Sequence, residues 1–141
     1  MTHKREQIRA AIVAALGQQA TLTGKVFAMR VRRTSDEELP VVLVYPTREA
    51  SELADMKRTL SRALTVAIEI RDKTTSTGDI GAGIDDLAVA VEAAMIADPS
   101  FGRLALNSYL AATTIELDGE GDFRQAVAVL EYQVTYRTPG A

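Results

Sequence analysis

The sequence predicts an α+β fold: a mainly antiparallel β-sheet with two helices packed on it, in the order αβββαββ. Three observations predict it. Two alanine-rich segments carry apolar residues at helical spacing. Several long runs alternate apolar and polar residues with a period of two. The chain then closes on IELDGEGDFRQAVAVLEYQVTYRT, residues 115–138, in which two alternating runs flank a turn with two glycines. Helices separated by runs of strands with hairpin signals indicate helices laid against a sheet.

The first helix is expected over residues 4–16, where Ile8, Ile12 and Leu16 recur at i, i+4 and i+8. Thr2 suits its N-cap and Gly17 its C′ position. KVFAMRVRR, 25–33, alternates and reads as a half-buried strand, followed by a polar connection over 34–39. PVVLVYP, 40–46, is a continuous apolar run, as expected of a short strand buried on both faces with a proline at each boundary. TREASELADM, 47–56, shows no clean period and reads as a loop or single helical turn.

KRTLSRALTVAIEIR, 57–71, reads as a long strand. Leu60, Leu64, Val66, Ile68 and Ile70 share one face, with Arg62 the exception. Residues 71–83 read as a polar loop with three glycines. The second helix is expected over 84–98, with Ile84, Leu87, Ala88, Val91 and Met95 as its stripe. Asp85 and Asp86 then fall in the first turn, and Pro99 ends the helix. Residues 103–118 begin a second long extended run. In the final strand Ala126, Ala128, Leu130, Tyr132, Val134 and Tyr136 form one apolar face. Tyr45, Tyr132 and Tyr136 are expected to pack with their hydroxyls at the edge of the core.

At 141 residues the chain suits a single domain over 1–141, able to bury roughly two-thirds of its unfolded surface. With no cysteine, disulfides, thiolate nucleophiles and Cys-based metal sites are excluded. The single histidine, His3, sits in a segment expected to fray, which argues against a His-built metal site or a Ser-His-Asp triad. No apolar run reaches about 18 residues, so no membrane-spanning helix is expected. The polar start MTHKREQ is unlike a secretory signal, which places the expected location inside the cell or in a particle assembled there.

The net charge of −3 is unevenly spread. Residues 1–73 carry 13 Lys/Arg against 9 Asp/Glu, a balance of +4; residues 74–141 carry 3 against 10, a balance of −7. Solvated faces explain this plainly, and a dipolar subunit meeting its neighbours head to tail explains it more sharply.

Each candidate constellation has a plain reading beside a functional one. GDIGAG, 78–83, resembles a phosphate-cradling loop, but it lacks the Lys-Ser/Thr of a P-loop and is surrounded by aspartates, so a loop entering the helix is preferred. Asp118, Glu120 and Asp122 alternate like Ca²⁺ ligands without the twelve-residue loop that such a site needs, so a solvated or partner-facing turn is preferred. Arg30, Arg32 and Arg33 form one basic cluster, and Lys57, Arg58 and Arg62 a second. Charged strand edges come first for both, intersubunit contacts next and nucleic acid last. Asp36, Glu37 and Glu38 read as a solvated loop or an interface loop. No general acid–base pair, metal set or cofactor motif emerges, so no enzymatic activity and no cofactor are expected.

Taken in order, REQIRAAIVAAL, VFAMRV, ELPVVLVYP, DDLAVAVEAAM with its ADPSFG exit, and the closing hairpin resemble the tail terminator proteins of long-tailed phages and related phage-like particles, the minor tail protein U group. The resemblance spans nearly the whole chain, and ELPVVLVY and GEG…VAVLEYQVTYRT carry it best.

It implies an α+β protein that forms a hexameric ring on the head-proximal end of the tail tube, in the virion or phage-like particle, assembled in the host cytoplasm. The ring stops tube polymerisation and presents a surface to the head-completion proteins. The implied partners are further copies of the chain, the major tail tube protein and a neck protein. DNA passes the lumen without specific binding, and no membrane is involved. The resemblance implies no catalytic residues. Candidate subunit-contact or lumen residues are Asp118, Glu120, Asp122, Asp36, Glu37, Glu38, Arg30, Arg32 and Arg33. Another neck component, a tail-completion or head–tail connector protein, is the alternative within the class. A small-molecule-binding or enzymatic α+β domain is the alternative outside it, with a nucleic-acid module third.

Overall fold

The computed structural model describes residues 3–28, 40–74, 80–120 and 123–139. It is an α+β fold: a mixed five-stranded sheet with two helices. The elements are α1 (Lys4–Gly17), β1 (Val26–Phe27), β2 (Val41–Leu53), β3 (Leu60–Thr74), α2 (Ile80–Ala97), β4 (Asn107–Glu120) and β5 (Phe123–Thr138), with a 3₁₀ turn at Ala20–Leu22. The strand order is β1-β2-β3-β5-β4. β1 pairs parallel to β2, and the other three pairings are antiparallel. The parallel pairing makes the sheet mixed, because α1 and the 3₁₀ turn deliver β1 to the edge in the direction of β2.

The core lies between the helices and one sheet face. Ile8, Ile12 and Leu16 of α1 meet Ile84, Leu87, Val91 and Met95 of α2. Beneath them lie Val42 and Val44, then Leu64, Val66, Ile68 and Ile70, then the alternate residues Ala126 to Tyr136 of β5. The period-two reading of β3 and β5 and the helical stripe of α2 therefore describe the same core. Val41 to Val44 are all buried, as expected for PVVLVYP. On the opposite face Val41, Leu43, Ala67 and Glu69 are also buried. There Glu69 accepts from Tyr45 Oη (2.9 Å) and Arg71 Nε (2.5 Å), which supplies the partners a carboxylate needs when water is withdrawn.

Several boundaries differ from expectation, each for a local reason. β2 does not stop at Pro46; the register shifts between Pro46 and Arg48, and the strand continues to Leu53. Proline has no N–H to give the ladder, and a bulge accommodates it without ending the strand. TREASEL, 47–53, is thus strand rather than loop; its side chains are mostly exposed, which erased the apolar period.

α2 begins at Ile80, so Asp85 and Asp86 lie beyond the first turn. The expected loop 71–83 is strand to Thr74 and helix from Ile80, and 75–79 lie outside the described residues. Gly17 is the last helical residue with Gln18 as C-cap; the left-handed glycine is Gly24, at φ 79°. His3 is the N-cap of α1 and accepts from Arg5 N, while Thr2 lies outside the described residues.

Candidate interaction surfaces

The best-connected polar cluster centres on Glu49, a residue that nothing in the sequence marked. β2 carries it to a position opposite Leu64 of β3. There its carboxylate accepts from Arg5 Nη1 of α1 (2.7 Å), Arg62 Nη1 of β3 (2.9 Å) and Tyr136 Oη of β5. Arg62 Nε also donates to Thr138 Oγ1 (2.8 Å), and the His3 ring stands edge-on to Tyr136 at 6.5 Å. The cluster thus ties the start of α1 to three strands. Arg62, the exception on its face in the sequence, is there to meet Glu49.

Electrostatics show what the cluster does. Burial pushes the Glu49 carboxyl upward. The hydrogen bonds from Tyr136 and Arg62, with the charges of Arg5 and Arg62, outweigh that and hold it below its ordinary value. Burial, then the bond to Glu49, push the Tyr136 hydroxyl up to about 12. Near neutral pH neither partner is poised to exchange a proton, so the pair acts as a clasp rather than an acid–base couple.

The sheet register gathers several basic residues at one end. Where β2 turns into β3, the turn carries Lys57 and Arg58, with Arg62 and Arg137 on neighbouring strands. Lys4 reaches this end as well, donating to the Arg137 carbonyl (3.3 Å). His3, Lys4, Arg62 and Arg137 line an open groove of about 580 Å³ there. Of the acids at this end, Glu49 sits in the clasp and Asp55 is bonded by Lys57 N and Thr59 N of its own turn, while Glu52 is exposed. The opposite end holds the start of α2 with exposed Asp85 and Asp86, and β4 with exposed Glu116. In backbone register Asp118 and Glu120 belong to that end, opposite Gln125 and Phe123, and Lys73 and Arg124 share it. Asp122, Arg30, Arg32, Arg33, Asp36, Glu37 and Glu38 lie outside the described residues.

Two apolar features stand apart from the core. β4 is an edge strand, and residues 111–116 are exposed on both of its faces, Ile115 included. The helices cover β3 and β5, and on β4 Leu110 packs against the core. Beside Leu110 lies a groove of about 220 Å³ between the second half of α2 and the start of β4, lined by Met95, Ile96, Pro99, Tyr109 and Tyr132, with Glu92 on its wall. Tyr132 is pushed up to about 12 by burial and by the Glu92 charge.

Among the described residues no group of three His, Asp or Glu side chains is placed to hold a metal ion, and no helix is long and apolar enough to cross a membrane.

No known family model and no curated protein matches the chain. Among solved structures, it is similar to a chain in the virion of a native gene transfer agent particle. The two are 13% identical with a TM-score of 0.45, over 91% of this chain and 94% of that one. A likeness at this level carries no function across.

Proposed function

We propose that this chain is a structural protein of a phage or phage-like particle that caps the head-proximal end of the tail tube. In this reading six copies close into a ring, stop tube polymerisation and present a surface for head attachment. The sequence resemblance to tail terminators supports it, and one structural observation carries it: among the described residues no strand pairs with the outer edge of β4. That strand spans fourteen residues, about 46 Å at strand rise, without a proline or lysine. Beyond the register shift between Leu110 and Ala112, residues 111–116 are exposed on both faces of this edge, a surface on which a further strand can pair. The basic residues near the β2–β3 turn and the acids at the start of α2 offer copies of one chain surfaces of opposite charge, and heterologous contacts of that kind close into rings when the rotation permits.

Deleting the gene from a strain that makes the particles tests this. The expected product is headless tails of excess and uneven length in electron micrographs. Complete particles with normal tails would remove the reading.

A further inference from the structure

The turn joining β2 to β3 ends in a knob. Asp55 accepts from Lys57 N (2.9 Å) and Thr59 N (3.1 Å), while Ala54 N donates to the Thr59 carbonyl (2.8 Å). Arg58 takes a left-handed conformation, φ 69°, to complete it. Held on this short, self-bonded turn, Met56 is 101% exposed, and Leu53 beside it is 62% exposed. A flexible apolar side chain on a fixed backbone loses little backbone freedom on binding. Lys57 and Arg58 follow Met56, and Asp55, whose carboxylate is bonded into the turn, precedes it.

The groove between α2 and β4 is the matching recess. Its volume of about 220 Å³ exceeds the roughly 150 Å³ that admits a benzene ring, so it holds a thioether side chain with room to spare. Two tyrosine rings line it, and sulfur packs favourably against aromatic edges. Glu92 stands at its wall, and Asp98, which accepts from Ser100 Oγ (3.0 Å) and Gly102 N (2.8 Å) of its own turn, follows at the end of α2. The turn thus offers an apolar tip followed by two exposed cations, and the recess an apolar lining with Glu92 on its wall.

We propose that Met56 of one copy inserts into the Met95–Ile96–Tyr109–Tyr132 groove of the next, with Lys57 and Arg58 facing Glu92 and Asp98. Knob and recess lie on different parts of the chain, so the contact is able to repeat head to tail from copy to copy. Its closure at six rests on the ring reading above; the pairwise contact stands by itself.

The chain has no cysteine, so single cysteines report the contact cleanly. Met56→Cys and Ile96→Cys proteins are mixed and oxidised. The expected product is a mixed disulfide between the two variants, several-fold above its statistical share; statistical proportions overturn the contact. In sedimentation, Met56→Ser weakens self-association about tenfold or more, as expected for one buried side chain, with an unchanged circular dichroism spectrum. Glu92→Lys weakens it as well, and combining it with Lys57→Glu and Arg58→Glu restores association. Rings that form equally well with Met56→Ser overturn the contact and leave the ring reading intact. Mixed disulfides within open chains rather than rings uphold the contact and overturn the ring. A wild-type protein that stays monomeric at its highest soluble concentration, with statistical disulfides, removes both.

Discussion

Glu49 gathers Arg5, Arg62 and Tyr136, and its side chain is only 12% exposed. Removing its charge leaves Arg62, itself 20% exposed, without a counter-ion. Glu49→Gln is expected to cost about 1–3 kcal/mol at pH 7 in urea denaturation, the range for hydrogen bonds to charged groups. The fold holds the Glu49 carboxyl below its ordinary 4.5, so its contribution is present above that value. It is lost as pH falls through the folded value, so the gap between wild type and Glu49→Gln narrows below pH 4.5. Tyr136 works in the opposite direction. Its folded value of about 12 exceeds the ordinary 10.0, so its contribution is complete below pH 10.0 and is lost as pH climbs toward 12. Tyr136→Phe should flatten that alkaline loss to the share of Tyr132, which is also raised to about 12. Denaturation midpoints followed from pH 9 upward measure it. A variant that loses stability across this window as steeply as wild type would contradict the assignment.

At the scale of elements, the sheet separates residues that hold the fold from residues kept for contact. Ile68 is fully buried, between Val44 and Leu130 in the ladder, and Ile68→Ala is expected to cost about 2–5 kcal/mol. Ile115 on β4 is 53% exposed, and Ile115→Thr is expected to change stability by less than about 0.5 kcal/mol. Parallel urea titrations decide this; similar losses at both sites would mean that β4 is covered.

The elements also show what was legible from sequence. β3 and β5 were readable because one face of each meets the helices, so their apolar residues alternate. The second half of β2 was not, since its side chains are mostly exposed and Pro46 looks like a stop until a bulge absorbs it. The start of α2 was misplaced by acids at 85 and 86 that look like a first turn, while the helix takes in the glycine-bearing segment before them. The Glu49 clasp was invisible because its partners come from positions 5, 62 and 136, and only the topology brings them together. The Met56 knob had a weak trace in sequence: one apolar residue between acidic and basic neighbours.

For the whole molecule, the sequence imbalance between the two halves becomes an arrangement in space. Antiparallel strands fold the chain back on itself; Lys57, Arg58, Arg62 and Arg137 gather near the β2–β3 turn with Glu52 among them, and Asp85, Asp86 and Glu116 lie toward the other end, which Lys73 and Arg124 share. Contacts built on such ends weaken as salt screens them, over a length of about 8–10 Å at ordinary ionic strength. Such contacts, with the open β4 edge and the Met56 knob, suit a subunit that is completed by its neighbours. The most direct test of that account is native mass spectrometry of the purified protein at low ionic strength. The account predicts a six-subunit species that dissociates as salt is raised, with rings visible in negative stain. A monomer at every concentration and ionic strength, with no rings, would contradict it.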